Sequence, residues 1–161
     1  MDRITLAALA DFPDRLEAHF SVVPSAYKNW RPQSWDGVPS EPFTPIEQLC
    51  HVRDIEIDGY HVRLRRTLEE SNPVLASLDG ELLATERSYA TADSAAVLAE
   101  FRDARSNTVA LIANLTPEQL ARAAEFEGHS VTLLGLVHNL CSHDQQHLAG
   151  MQWLLARMAS P

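Results

Sequence analysis

The 161-residue chain has little of what several specialised protein classes require. It has one lysine, and its 13 basic residues stand against 22 acidic ones, which leaves a net charge of −9 without any basic run. Nucleic-acid-binding proteins normally carry a basic face, and proteins that bind membrane surfaces are rich in Lys and Arg, so we expect neither partner. No apolar run approaches the ~20 residues that a membrane-spanning helix needs.

Cysteine and glycine are also scarce, with two and six residues. Cys50 and Cys141 are isolated within helical patterns, which favours two buried thiols over a disulfide. Free thiols in turn indicate a cytoplasmic protein. The N-terminal residues show no signal-peptide cleavage pattern, in agreement with that location. Little glycine beside a 45% apolar content favours helices over a turn-rich β fold. A chain of this length predicts a single domain, residues 1–161.

Hydrophobic periodicity predicts four long helices. They cover approximately residues 5–30, 44–71, 93–114 and 131–158, with a short helix after Thr116 and a break at residues 125–130. The second helix has a clear start, because Thr44 is the N-cap, Pro45 takes the first helical position and Glu47 completes a capping box. Residues 31–43 and 73–92 show no periodicity. The pattern predicts an all-α four-helix bundle with a long irregular crossover and no sheet.

The last predicted helix contains two histidines four residues apart, in the stretch "SHDQQHLAGM". At about 100° per residue, His147 lies near the centre of the apolar face and His143 on its flank. A buried imidazole costs free energy unless it is paired, and this spacing places both rings on one side, where they can hold one metal ion. The alternative is that one ring bonds a backbone carbonyl and the other is partly exposed.

A third ligand would come from the second helix, which offers His51 and His61. Periodicity does not select His51, because it lies about 120° from the centre of the apolar stripe, whereas His61 lies beside the stripe. His51 shares its face with Asp54 and Asp58, and a carboxylate one turn away could orient a ligand imidazole or join a catalytic site. The competing interpretation is a solvated face, on which these carboxylates pair with arginines such as Arg53.

The segments "FTPIEQLCHVRDIE" and "TLLGLVHNLCSHDQQHLAGMQWL" resemble the second and last helices of the DinB-like (YfiT-like) superfamily of bacterial four-helix bundles. The resemblance covers nearly the whole chain and depends on three histidines in the family's order. It implies a divalent metal held by His51, His143 and His147, with water in the remaining positions. Neutral imidazole suits zinc and nickel alike. The resemblance also implies an up-down-down-up bundle and a homodimer.

Three neutral imidazoles leave a metal with an open position, which is typical of catalytic rather than structural sites. The first hypothesis is therefore a hydrolase that acts on a small molecule through metal-activated water, with Asp54, Asp58 or Asp144 as base or support. Some members of the superfamily are S-transferases that use a low-molecular-weight thiol such as mycothiol or bacillithiol, which gives the second hypothesis. The third is a non-enzymatic, metal-stabilised binding module linked to stress.

Overall fold

The computed structural model describes residues 1–159. The elements, in chain order, are α1 (Arg3–Ser21), α2 (Pro45–Asp54), α3 (His61–Glu69), β1 (Val74–Leu75), α4 (Gly80–Glu86), α5 (Ser94–Ala113), α6 (Pro117–Leu120), β2 (Ala123–Phe126), β3 (His129–Thr132) and α7 (Leu133–Ala159). A π-helical segment, Ile55–Tyr60, joins α2 and α3 into one long helix. The bundle therefore consists of α1, the joined α2–α3, α5 and α7.

Polar contacts between α1 and α5 show that these two helices are antiparallel. Arg102 of α5 pairs with Glu17 of α1. Arg105, one turn further along α5, donates a hydrogen bond to the carbonyl of Leu9, which lies two turns earlier on α1. The order of the contacts is thus reversed between the two helices.

The second long helix is parallel to α5, which makes the bundle up-down-down-up. Arg53 pairs with Glu100 early in both helices, and His61 contacts the Thr108 hydroxyl later in both. The histidine contacts of the candidate site come in reverse order along α2 and α7, so these two helices are antiparallel. As a result, α7 runs in the direction of α1. The long connection between α3 and α5 is what allows two successive bundle helices to be parallel.

The apolar core is divided into two clusters by a buried polar layer. On α7, Leu140 belongs to one cluster and Leu148 to the other. Between them, Asp144 and His147 are buried. On α5, buried Arg105 lies between Phe101 of one cluster and Ile112 of the other. The candidate site lies in this layer.

The expectation of no sheet is wrong, because the described residues contain three short strands. β2 and β3 form an antiparallel hairpin, and β1 adds in parallel to β2, with Val74 opposite Glu125. The hairpin turn is Glu127 and Gly128, whose φ angles of 53° and 76° suit a tight two-residue turn. The strands span two to four residues and include Ala and Glu, so they lack a clear alternating pattern.

Two predicted boundaries also differ. The first helix ends at Ser21 instead of continuing to residue 30, although it does run through Pro13. The crossover, residues 73–92, is only partly irregular, because it contains β1, α4 and a 3-10 turn. The start of α2 agrees with the prediction, since the Glu47 carboxylate accepts the backbone N–H of Thr44 at 2.8 Å.

The structure agrees with the expectation that the two cysteines are thiols and not a disulfide. Cys50 is a buried free thiol and Cys141 a half-buried one. In residues 1–159, no helix is both long enough and apolar enough to cross a bilayer.

Candidate metal centre

Three histidine side chains from two helices meet in the buried polar layer. His51, His143 and His147 each offer one ring nitrogen, and these nitrogens all lie within 4.8 Å of one another. The Nε2 atoms of His51 and His143 are 3.3 Å apart. Two nitrogens that bind one tetrahedral ion at ~2.0–2.1 Å are separated by about this distance. The three rings could therefore hold a metal ion with little rearrangement.

His51 is buried because other segments cover the face of α2 that periodicity places away from the core. The residue is 2% exposed. The backbone of α4 lies against its ring, and a Cβ added at Gly80 would be 2.7 Å from His51 Cε1. On the other side, the ring of Phe43 lies 5.0 Å from the His51 ring. The burial of His51 thus comes from segments outside its own helix.

All three imidazoles are held in the neutral form, which is the form that binds a metal. Burial lowers the pKa of each ring, and it lowers the pKa of His143 to about 3. Buried Nδ1 atoms of His51 and His143 and the buried Nε2 atom of His147 have no hydrogen-bond partner within residues 1–159. An unpaired buried nitrogen is costly, and a metal bound to His147 Nε2 would reduce that cost.

Gln48 decides which nitrogen of His147 carries the proton. Its amide nitrogen donates to Ser40 Oγ at 3.0 Å and faces the carbonyls of Glu41 and Phe43 at 3.3 and 3.4 Å. Its Oε1 atom therefore faces His147 Nδ1, at 2.5 Å. Since an amide oxygen only accepts, His147 Nδ1 is protonated and Nε2 keeps its lone pair.

The loop of residues 31–43 packs closely on α7 beside the site. A Cβ at Gly150 would lie 2.2 Å from Ser40 Oγ and 3.0 Å from Ser40 Cβ, so glycine at this helix position lets the loop approach closely. Further along α7, Trp153 stacks on Trp35 of the loop, with ring centroids 6.0 Å apart. The loop is therefore held over the histidines by contacts at both places.

Glu41 is the carboxylate closest to the histidines, and the sequence alone did not identify it. Its Oε2 lies 3.3 Å from His147 Nε2, and its Oε1 lies 3.8 Å from His51 Nε2. The Glu41 side chain is 46% exposed, so it faces both the site and solvent. A loop has no periodicity that could place this side chain. The one sequence signal that could have indicated Glu41 is its place shortly before the capped start of the helix that carries His51.

The structure places Asp54 and Asp58 against arginines. Buried Asp54 accepts hydrogen bonds from Arg53 at 2.7 Å and from the Tyr89 hydroxyl at 2.6 Å, and it pairs with Arg87 at 2.9 Å. Asp58 pairs with the same Arg87 at 2.7 Å. The competing interpretation of arginine pairing therefore describes both residues, although Asp54 is buried and not solvated as that interpretation required.

Asp144 belongs to a second buried network. It binds the Arg105 guanidinium through two hydrogen bonds, of 2.6 and 2.9 Å, and Glu56 binds the same guanidinium at 2.9 and 3.1 Å. Burial raises the pKa of Asp144 to about 6, and Arg105 opposes that rise. His61 lies at the edge of this network, where its Nε2 contacts Thr108 at 3.0 Å, and is therefore outside the triad.

A pocket of about 360 Å³ opens beside the triad. Its lining includes His51, His143 and Glu41, together with the polar side chains Asn139 and Ser142. Small-molecule sites usually fall in the range ~300–1,000 Å³. Two of the three histidines, His51 and His143, thus border a space that a small ligand can enter.

Comparison with known proteins agrees with this architecture. Residues 8–151 match the family profile of the DinB superfamily. Among solved structures, YfiT from Bacillus subtilis, described as a probable metal-dependent hydrolase with an unusual four-helix bundle topology, superposes with a TM-score of 0.86. It is 21% identical, and the match covers 99% of this chain and 90% of that one. No curated protein matches this sequence. With its family profile matched over most of its length, the chain belongs to the DinB superfamily.

Proposed function

We propose that the protein is a metal-dependent hydrolase of small molecules, in which His51, His143 and His147 are the metal ligands. The observation that carries the proposal is the convergence of three neutral imidazole nitrogens within 4.8 Å, at the wall of a pocket. The description of the structural relative YfiT as a probable metal-dependent hydrolase supports it. Zinc and nickel both suit three imidazoles.

Each side chain has a distinct task in this proposal. When bound, a divalent cation supplies a Lewis acid that polarises a carbonyl and lowers the pKa of water. Gln48 keeps the His147 lone pair directed at the site. Glu41 takes the role of general base in place of Asp54, Asp58 and Asp144, which are paired with arginines. Glu41 reaches both the histidines and the solvent, as a proton acceptor for water must.

A thiol-dependent S-transferase is the second candidate function, and the polarity of the pocket favours it. Asn139, Ser142 and Gln146 line the pocket and offer hydrogen bonds to a sugar-like cofactor. The protein's own thiols are unsuited to this role, because burial raises the pKa of both Cys50 and Cys141, that of Cys50 to about 12. The reactive sulfur would therefore belong to the small thiol. A purely structural metal site fits less well, because two of the three histidines line the pocket.

The proposal also includes that the protein is a homodimer and is located in the cytoplasm. A homodimer follows from the family resemblance. A cytoplasmic protein agrees with the two free cysteines, because thiols persist in reducing compartments.

The test is elemental analysis of untagged, metal-supplemented protein. We expect about one zinc or nickel ion per chain in the wild type, and loss of most of it in His51→Ala and His147→Ala. His138→Ala is the matched control, because His138 is exposed on the same helix as His147. A wild type well below one ion per chain, or full retention in both ligand variants, would refute the metal site.

A second experiment measures hydrolysis of an activated ester by the wild type and by Glu41→Gln. This variant should keep its metal and lose about 10²–10⁴-fold in hydrolysis, because glutamine cannot accept the proton. If Glu41→Gln hydrolyses the ester as fast as the wild type, Glu41 is not the base. If the metal-loaded wild type hydrolyses no ester but transfers a group to a small thiol, the second candidate function replaces the first.

A further inference from the structure

Arg63 is a buried cation without an acidic partner. It lies on α3 and is 5% exposed. The other deeply buried arginine, Arg105, forms ion pairs with both Glu56 and Asp144. By contrast, the hydrogen bonds of Arg63 within residues 1–159 go to uncharged groups, to the Tyr60 side chain and to the carbonyl of Ala76, which it reaches from Nε at 3.3 Å and from Nη2 at 3.2 Å. A buried charge of this kind is costly unless an anion pairs with it.

The surroundings of Arg63 hold the guanidinium in place without neutralising it. The ring of Phe126 lies 4.5 Å and that of Tyr60 5.1 Å from the guanidinium carbon. Such cation–π contacts offset part of the desolvation cost. A Cβ added at Gly59 would be 3.2 Å from Nη1, so glycine leaves room for this group. The guanidinium thus keeps a set position and forms no ion pair with a carboxylate among the described residues.

Arg63 lines the same pocket as His51 and His143 of the triad. Two carboxylates also border this pocket. Glu41 faces His51 and His147, and exposed Glu127 accepts a hydrogen bond from Ser77 at 2.8 Å. Glu127 favours the charged form of Arg63 from a distance but does not form an ion pair with it. The pocket therefore has a metal-binding wall and a separate, unpaired cationic group.

We propose that Arg63 binds a carboxylate of the substrate, so that the substrate is a small ester or amide that also carries a carboxylate. This inference depends on the proposed function, because it names the substrate class of that centre. The guanidinium donors match a carboxylate in geometry and charge, and pairing would compensate the buried cation. The pocket's volume of about 360 Å³ suits a small molecule that spans the two sites.

The first test does not require a metal. Glutarate is titrated into the metal-free protein while the Nε–H signal of Arg63 is followed by NMR. We expect a saturable shift of that signal in the wild type, and glutarate binding weaker by about tenfold or more in Arg63→Gln. Arg65→Gln is the control, because Arg65 is exposed on the same helix, and it should bind as the wild type does.

The second test uses hydroxamates, which bind metals, on the metal-loaded protein. Acetohydroxamate carries no carboxylate, whereas the monohydroxamates of succinic, glutaric and adipic acid carry one at increasing reach. We expect at least one of the three to bind about tenfold more tightly than acetohydroxamate. Arg63→Gln should lose this preference and bind acetohydroxamate unchanged, a pattern that a purely structural role for Arg63 would not produce.

The outcomes separate the two proposals. A chain that takes up no metal overturns the proposed function, while the glutarate titration still decides the role of Arg63. An Arg63 signal that does not respond to glutarate, or a carboxylate preference that persists in Arg63→Gln, overturns the inference. If Arg63→Gln does not fold, the wild-type NMR titration decides, and Arg63→Lys, which keeps the charge but not the planar donor group, should weaken glutarate binding.

Discussion

At the scale of single residues, the lone pair that His147 offers depends on Gln48. The amide nitrogen of Gln48 is committed to the loop, so its oxygen must face His147 Nδ1. The ring is thereby fixed both in orientation and in tautomer. Partners of this kind, which touch a ligand and not the metal, commonly change metal affinity by about 10–100-fold when removed.

We therefore predict that Gln48→Leu binds zinc about 10–100-fold more weakly than the wild type. Leucine cannot accept a hydrogen bond from Nδ1–H, so the ring loses the contact that selects its tautomer. Zinc affinity is measured by competition with a chromogenic chelator. Gln145→Leu, at an exposed position of α7, is the control and should match the wild type. Equal affinities for Gln48→Leu and the control would show that Gln48 does not set the ligand geometry.

At the scale of the elements, Arg105 joins α5 to three other segments of the bundle. It extends from α5 to Glu56 in the π-helical segment, to Asp144 on α7 and to the Leu9 carbonyl on α1. The guanidinium is 1% exposed, and both carboxylates are buried with it. Asp144 directly follows the ligand His143, so this network also fixes the part of α7 that carries the site.

We predict that Arg105→Met lowers the free energy of unfolding by about 3–5 kcal/mol, because it leaves two carboxylates buried without their cation. Arg102→Met is the control. Arg102 pairs with Asp14 and Glu17 on the surface, where such pairs contribute about 0–1 kcal/mol. Urea denaturation followed by circular dichroism measures both. Losses of similar size in the two variants would mean that the buried network does not hold the helices together.

At the scale of the whole molecule, metal binding and folding should be linked. The three imidazoles come from α2 and α7, so only the folded chain brings them together. A ligand that binds only the folded state adds about 2.7 kcal/mol of stability at 100 times its dissociation constant. For a chain of this size, each kcal/mol raises Tm by about 2–4 °C.

We predict that zinc at 100 times its dissociation constant raises Tm by roughly 5–11 °C, and that a chelator reverses the change. Differential scanning calorimetry of the same preparation with zinc and with chelator measures the shift. His51→Ala should show little or no shift, since it lacks one ligand. A wild-type Tm that does not respond to zinc would contradict the coupling and, with it, the metal site.

Much of the helical framework was predictable from the sequence, because the signals are local. The hydrophobic periodicity of each helix and the capped start at Thr44 depend only on residues one or two turns apart. For the same reason, the spacing of His143 and His147 was enough to place both rings on one side of α7. His51 was different, because only the family resemblance selected it, and periodicity placed it away from the core.

The remaining features of the site required contacts between distant segments. His51 is buried because Gly80 of the crossover and Phe43 of the preceding loop cover it. The arginines that pair with Asp58 and Asp144 are distant in the sequence, by 29 and 39 positions. Glu41 reaches the histidines from a loop. Periodicity reports how one helix is oriented to its core, whereas burial, charge pairing and access to a ligand depend on what the rest of the chain places against it.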